Sequence, residues 1–294
     1  MYQQLIPIIA PVLICALLGY AWSRSNWPFD REFLTRIIMN IGAPCLILKG
    51  MTELQFETAD FALMLLAGLT VLGICAGFGA IALLLTRQPL RSFLPPVIFG
   101  NAGNLGLPLC LFAFGTEGLG LAVAIYLIGS VSQFILGPLF QGHQSAWETV
   151  IKTPIIYAAA TGIFLLATDT ALPEFLGNTV DLLAGLAIPL MLLALGYSLG
   201  HFKITRPGVA FGVALFRLGL GFAVGVAVVE LYQLTGTMRG VVIIESSMPV
   251  AVFNYLLAAR YQRHPEDVAG AIVISTVISF ITLPPLILFA LGSN

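Results

Sequence analysis

Apolar stretches about 20 residues long follow one another from Leu5 to the C-terminus, separated by short breaks marked by charge, proline or glycine. Coiled into a helix, a run of that length matches the hydrocarbon thickness of a bilayer. No polar tract between the runs is long enough for a soluble domain. Of 294 residues, 59% are hydrophobic and 9% charged, with mean hydropathy +0.98. A soluble domain carries about 25% charged residues, so lipid is the main solvent for this chain. The net charge of −1 leaves no footprint for nucleic acid. The opening Met-Tyr-Gln-Gln lacks a basic n-region, and no small-x-small cleavage site follows at the expected place. The first apolar run is therefore read as a retained helix.

The breaks divide the chain into ten expected spans: 4–22, 32–50, 60–86, 92–113, 118–140, 152–168, 175–199, 208–230, 239–260 and 267–291. Charge sets their orientation. With the N-terminus outside, the cytoplasmic ends collect Arg24, Arg31, Arg36, Arg87, Arg91, Lys152, Lys203, Arg206, Arg260 and Arg263. Only Lys49 and Arg239 fall outside, among the acids Glu53, Glu57, Asp60, Glu117, Asp169 and Glu174. Positive charge concentrates on the cytoplasmic side, so both termini are expected outside.

The midpoint near Trp147 divides the chain into five-span halves, 1–146 and 147–294. Pro44 in span two and Pro189 in span seven are 145 positions apart, and the same offset carries Ser130 in span five onto Ser275 in span ten. An odd number of spans per half forces the halves to insert with opposite topology. The expected fold is an all-α polytopic membrane protein made of two inverted five-helix repeats, an arrangement common among secondary transporters.

Spans four and nine are the poorest helices. Residues 101–108 read Asn-Ala-Gly-Asn-Leu-Gly-Leu-Pro, and 245–254 read Glu-Ser-Ser-Met-Pro-Val-Ala-Val-Phe-Asn. Glycines lower helix propensity, and Pro108 and Pro249 each withhold an N–H and crowd the preceding turn. Asn104 lies roughly 18 Å into a core about 30 Å thick. Lipid cannot satisfy backbone groups freed at that depth. Paired interruptions of this kind point to a substrate or ion site. The helix starts beyond the breaks favour an anion, and unwound carbonyls suit a cation. Asn101, Asn104, Pro108, Ser246, Ser247, Pro249 and Asn254 are the candidate substrate residues on these two spans.

Two charges lie inside spans. Arg217 and Glu245 fall about 15 and 20 Å from the cytoplasmic side. Such charges cost at least about 2.5–3.5 kcal/mol unless paired or wetted. Arg217 reads as a substrate counter-ion, Glu245 as a proton carrier or sodium ligand, or the two as a structural ion pair. Gln133 joins the candidate substrate residues, because its amide is not readily satisfied within its own helix. Ser130, Ser275 and Thr276 are candidates for ion coupling. Gly219, Gly221 and Gly225 on span eight read as a close-packing face. Cys15, Cys45, Cys75 and Cys110 all lie in apolar runs without metal-ligand spacing and read as small buried hydrophobes. Apart from a sodium ion or proton at Glu245, no cofactor or metal is expected. No His-Glu-x-x-His, no Gly-x-Ser-x-Gly and no paired intramembrane aspartates suggest an enzyme. A channel or a transporter-like sensor is the alternative to a carrier.

The order of these motifs resembles the auxin efflux carrier family. The resemblance rests on Pro44, on 101–108, on Ala187-Ile188-Pro189-Leu190 leading to Leu195-Gly196-Tyr197-Ser198-Leu199, and on Ser-Ser-Met-Pro-Val-Ala at 246–251. The chain looks like the bacterial branch that includes malate and malonate permeases, and the resemblance covers nearly the whole chain. It implies a fold like that of bile acid/sodium symporters, with broken helices four and nine crossing in a mobile bundle. Spans one, two, six and seven would form a scaffold, and spans three to five and eight to ten an elevator-like transport bundle. It further implies a small organic anion as substrate, a homodimer joined through the scaffold, and a place in the bacterial inner membrane. Glu245 lies where sodium-coupled relatives carry an acidic ion ligand.

Overall fold

The computed structural model describes residues 2–25, 27–52, 58–140, 153–168 and 170–292, and among them every regular element is helical. The midpoint near Trp147, Lys152 and the acids Glu53, Glu57 and Asp169 lie outside the described residues.

Helix α1 (Tyr2–Arg24) is followed by α2 (Arg31–Ile37), whose first turn is capped by the Asp30 carboxylate accepting from Phe33 N–H at 2.9 Å. A wide turn, Ile38–Gly42, carries α2 into α3 (Ala43–Thr52). Its cause is Pro44, whose ring crowds the carbonyl four residues back. Bonding five residues back, as Ala43 N–H does to Ile38 O, opens the turn and relieves the clash. Then come α4 (Thr58–Leu85), α5 (Leu90–Ile98), α6 (Leu107–Phe140), α7 (Pro154–Thr168), α8 (Glu174–His201), α9 (Pro207–Tyr232), α10 (Gly236–Ser246), α11 (Phe253–Arg260) and α12 (Pro265–Leu291). Helix α6 bends at Gly115, whose φ of 70° and ψ of −157° suit only glycine.

Seven helices among the described residues are long and apolar enough to cross a bilayer. The expected count of ten is reduced at spans four, six and nine. Span six is the shorter apolar helix Pro154–Thr168. Span four is divided between α5 and the start of α6, and span nine between α10 and α11. Many large apolar side chains lie on the surface: Leu85, Leu182 and Ile281 are 80%, 74% and 72% exposed. In water such a band would drive association; in a bilayer it faces lipid.

Packing falls into two sets. Helices α1, α3, α7 and α8 pack chiefly on one another, whereas α4, α5, α6 and α9 to α12 surround the interrupted segments. The sets meet most closely where α3 lies against α6. Helices α1 and α8 approach through glycines. A Cβ on Gly196 would meet the Ala16 carbonyl, and one on Gly19 the Leu193 carbonyl. Without a hydrophobic drive in lipid, such backbone contact is what holds helices together. Gly196→Leu is expected to destabilise the protein by about 1–3 kcal/mol, seen as a lower melting temperature in detergent. Gly185→Leu, on the same helix with open space at its Cβ position, is expected to leave it unchanged. Equal melting of the two variants would remove this contact as a cause of stability.

Candidate functional site

Helix α5 ends at Ile98, and Phe99 and Asn101 leave helical geometry with ψ of 103° and 52°. A second wide turn, Ala102–Gly106, leads into α6 just before Pro108, with Leu107 N–H bonded to Ala102 O. The arrangement repeats the one before Pro44, and for the same steric reason. In the second half, α10 ends at Ser246, and α11 begins only at Phe253, with Pro249 between them.

Each interruption satisfies the other. Asn101 N–H donates to Pro249 O at 2.7 Å, and Ala251 N–H donates to Phe99 O at 3.1 Å. Together they make an isolated antiparallel bridge between Gly100 and Val250. The Asn254 amide also donates to Phe99 O at 3.1 Å, and Val250 N–H reaches the Ser275 hydroxyl at 3.1 Å. Backbone groups that lipid could not serve are thus paired within the protein.

Beside the bridge lies a cavity of about 110 Å³. Among the expected site residues, Asn101, Asn104, Ser130, Gln133, Arg217, Glu245 and Ser246 line it. Pro108, Ser247, Pro249, Asn254, Ser275 and Thr276 are not among the residues lining it. Asn254 accepts from Gln133 Nε2 at 2.9 Å and steadies Phe99, while the Ser247 hydroxyl bonds Ile243 O at 2.7 Å. Pro249 lends its carbonyl to Asn101. The Ser246 hydroxyl, although at the cavity, bonds back to Ile243 O at 3.2 Å.

Three buried polar side-chain atoms among the described residues have no hydrogen-bond partner: Asn101 Nδ2, Glu245 Oε2 and Thr276 Oγ1. The first two belong to residues lining the cavity. Such atoms are rare in folded proteins and call for an explanation. Asn101 offers a donor at the start of the wide turn. There the N–H groups of Ala102, Gly103 and Asn104 precede the first backward bond, from Leu105 to Asn101 O. Glu245 is 3% exposed, with its Oε1 3.9 Å from Cys110 Sγ. A Cβ on Gly106 would sit 2.5–2.6 Å from the Glu245 carboxylate, so glycine is what admits that side chain.

Glu245 and Arg217 do not pair. Arg217, 2% exposed, sends Nε to Met248 O at 3.1 Å, Nη1 to Val97 O at 3.2 Å and Ile98 O at 3.3 Å, and Nη2 to Ser246 O at 2.9 Å. Of the three readings of these two charges, the ion pair is not the one this geometry shows, since the Arg217 guanidinium is bonded to carbonyls at the helix interruptions. Among the described residues no group of three or more His, Cys, Asp or Glu is placed to hold a metal.

Sequence reasoning missed Tyr126, Cys110 and Gly106. Tyr126 lines the cavity near Ser130 and lies against Gly103. Cys110 was read only as a small hydrophobe; it is buried, as is Cys75, whereas Cys15 and Cys45 are half-buried, and all four are free thiols. Gly106 falls within the interrupted stretch 101–108, but no local pattern marks its role or those of Tyr126 and Cys110, which come from what faces them across the bundle.

Residues 5–140 and 139–288 match a family described as membrane transport protein. An uncharacterized transporter of Methanocaldococcus jannaschii is 26% identical over 297 residues, covering 94% of this chain and 96% of that protein. One of Methanothermobacter thermautotrophicus is 26% identical over 295 residues, covering 94% and 95%. Auxin efflux carrier component 8 of Arabidopsis thaliana is 24% identical over 144 residues, which span 47% of this chain and 39% of the carrier. These relatives are named as transporters and carriers, and the apolar helices are those of an integral multi-pass membrane protein. The chain belongs to the membrane transport protein family, the family of the auxin efflux carriers.

Proposed function

We propose that this protein is a secondary active transporter of small organic anions, mono- or dicarboxylates of the class to which auxin-like acids belong. The observation that carries this reading is Asn101 Nδ2, a buried donor without an acceptor, beside a helix start in the cavity wall. A donor and a helix N-terminus together suit a carboxylate. The substrate would meet Asn101 and the wide turn through Asn104, with Ser130 and Gln133 on the facing side of the cavity.

Glu245 supplies the coupling in this reading. Its neighbours include Gly106, the Cys110 thiol and Tyr126. A proton needs only one oxygen, whereas hard cations take several oxygen ligands. An anion entering beside Glu245 would therefore travel with a proton on the carboxyl. The two packing sets support an elevator-type cycle, with α1, α3, α7 and α8 as the stationary part and the set around the cavity as the moving part. The halves 1–146 and 147–294 would be inverted repeats whose interrupted helices cross at the Gly100–Val250 bridge. A homodimer through the stationary set, in the bacterial inner membrane with both termini outside, completes the proposal.

The test is uptake into vesicles containing the purified protein, across a panel of mono- and dicarboxylates, with pH and sodium varied independently. Saturable uptake with counterflow is expected for at least one carboxylate. Conductance far above carrier rates, or transport confined to neutral solutes, would overturn the reading. Asn101→Ala is expected to raise the half-saturating concentration roughly tenfold or more, since a hydrogen bond to a charged group is worth about 1.5–3 kcal/mol. Asn101→Asp should abolish uptake by placing a negative charge at that point. Unchanged saturation curves for both variants would move the substrate elsewhere.

A further inference from the structure

The carbonyls that Arg217 binds come from both halves of the chain. Val97 and Ile98 close α5, while Ser246 closes α10 and Met248 follows it. Two helix C-termini therefore converge on one point. Each carries about half a negative charge, so the pair presents roughly one unit, the charge of a single monovalent cation. Unwound carbonyls at converging helix ends inside a membrane are cation-binding chemistry. The place is shaped for its occupant. A Cβ on Gly100 would run into Arg217 Nη2, and one on Gly221 into the Ser246 carbonyl. The Cys75 thiol also lies near the guanidinium. Its hydrogen-bonding fork is directed into the protein frame, which leaves it poorly placed to bind a substrate carboxylate directly.

We propose that Arg217 is a tethered cation, its guanidinium filling the site between the two interrupted helices that a free monovalent cation would otherwise occupy. The charge needed to join the helix ends is then carried permanently by α9, and the junction holds without sodium. Arg217 is in this sense a positioning residue: it fixes the relation of α5 to α10, and through them the cavity wall at Gly100, Asn101 and Glu245. The inference rests on the junction geometry and is independent of the substrate class proposed above.

The test needs no substrate. The full-length protein, purified in detergent, is melted in sodium chloride and in choline chloride. The wild type is expected to melt at the same temperature in both. Arg217→Ala is expected to melt several degrees lower in choline and to regain much of that loss with low-millimolar guanidinium ion or with sodium. A side chain that merely fills space would show no rescue by a small cation. Arg217→Lys, which keeps the charge but loses the fork, should melt between the two and gain little from sodium. If Arg217→Ala does not accumulate, the wild type and Arg217→Lys decide the matter through their sodium independence. Stabilisation of the wild type by sodium, or an Arg217→Ala protein indifferent to guanidinium and sodium alike, would overturn the proposal.

Discussion

Glu245→Gln is expected to abolish accumulation of the anion driven by a proton gradient while leaving exchange of anion for anion intact. The reason is electrostatic. The carboxyl group is buried, lines the cavity and has one oxygen without a partner. Arg217, the other charge on the cavity wall, is committed to four backbone carbonyls. Two negative charges about 5 Å apart, at an effective dielectric constant of about 20, repel by about 3 kcal/mol. Anion and proton therefore favour each other's binding by roughly a hundredfold, and the factor is the same in both directions. The sign follows directly. Uptake should rise as the pH on the substrate side falls, because the protonated carboxyl removes the repulsion.

The other titratable groups near this carboxyl are Cys110 and Tyr126 on α6, with Arg217 in the wall of the same cavity on α9. Glutamine imitates the protonated carboxyl at every pH. The variant should bind the anion at neutral pH at least as well as the wild type, lose its pH dependence and fail to concentrate substrate against a gradient. Vesicle uptake with an imposed pH gradient, compared with counterflow at equal pH, separates these effects. Retained proton-driven accumulation in Glu245→Gln would falsify the assignment of the coupling proton to this residue.

The second large effect is expected at Gly221. Gly219, Gly221 and Gly225 look alike in the sequence, yet their surroundings differ. A Cβ on Gly221 would collide with the Ser246 carbonyl, and one on Gly225 with the Ser246 hydroxyl, whereas one on Gly219 meets open space. Gly221→Val should push α9 away from the end of α10 and break the Arg217 bond to Ser246 O. Overpacking alone costs about 1–3 kcal/mol. Loss of a hydrogen bond from a buried charged donor adds about 1.5–3 kcal/mol. Little folded protein and no uptake are expected. Gly219→Val, two residues away on the lipid-facing side, should express, melt and transport like the wild type. Matching behaviour of the two valine variants would mean that the approach of α9 to α10 does not hold the site together.

Much of the helical frame was legible because lipid imposes one rule along the whole chain: apolar runs must become helices that satisfy their own backbone. The interruptions were legible for a local reason as well. Pro108 and Pro249, with the glycines and asparagines near them, remove donors or weaken the helix wherever they stand. The wide turns before Pro44 and Pro108 follow from the same steric clash, although proline alone does not specify a wide turn. Pro189 stands inside the continuous helix α8.

Partnership was not legible. Whether a proline leaves a kink or a gap depends on whether another segment can take up the freed groups, and that segment lies about 150 positions away in the chain. The fate of Arg217 was undetermined for the same reason. A buried guanidinium seeks oxygen, and only the assembled bundle reveals that carbonyls of α5 and α10 lie nearer than Glu245. Cys110 and Tyr126 gain their places in the same way, from the helix opposite. The solvent, the helices and the points where they fail could be read from the residues alone, because these depend on local chemistry and on lipid. The tertiary structure alone decided which broken end meets which, and so which buried charge is bound to the frame and which faces the cavity.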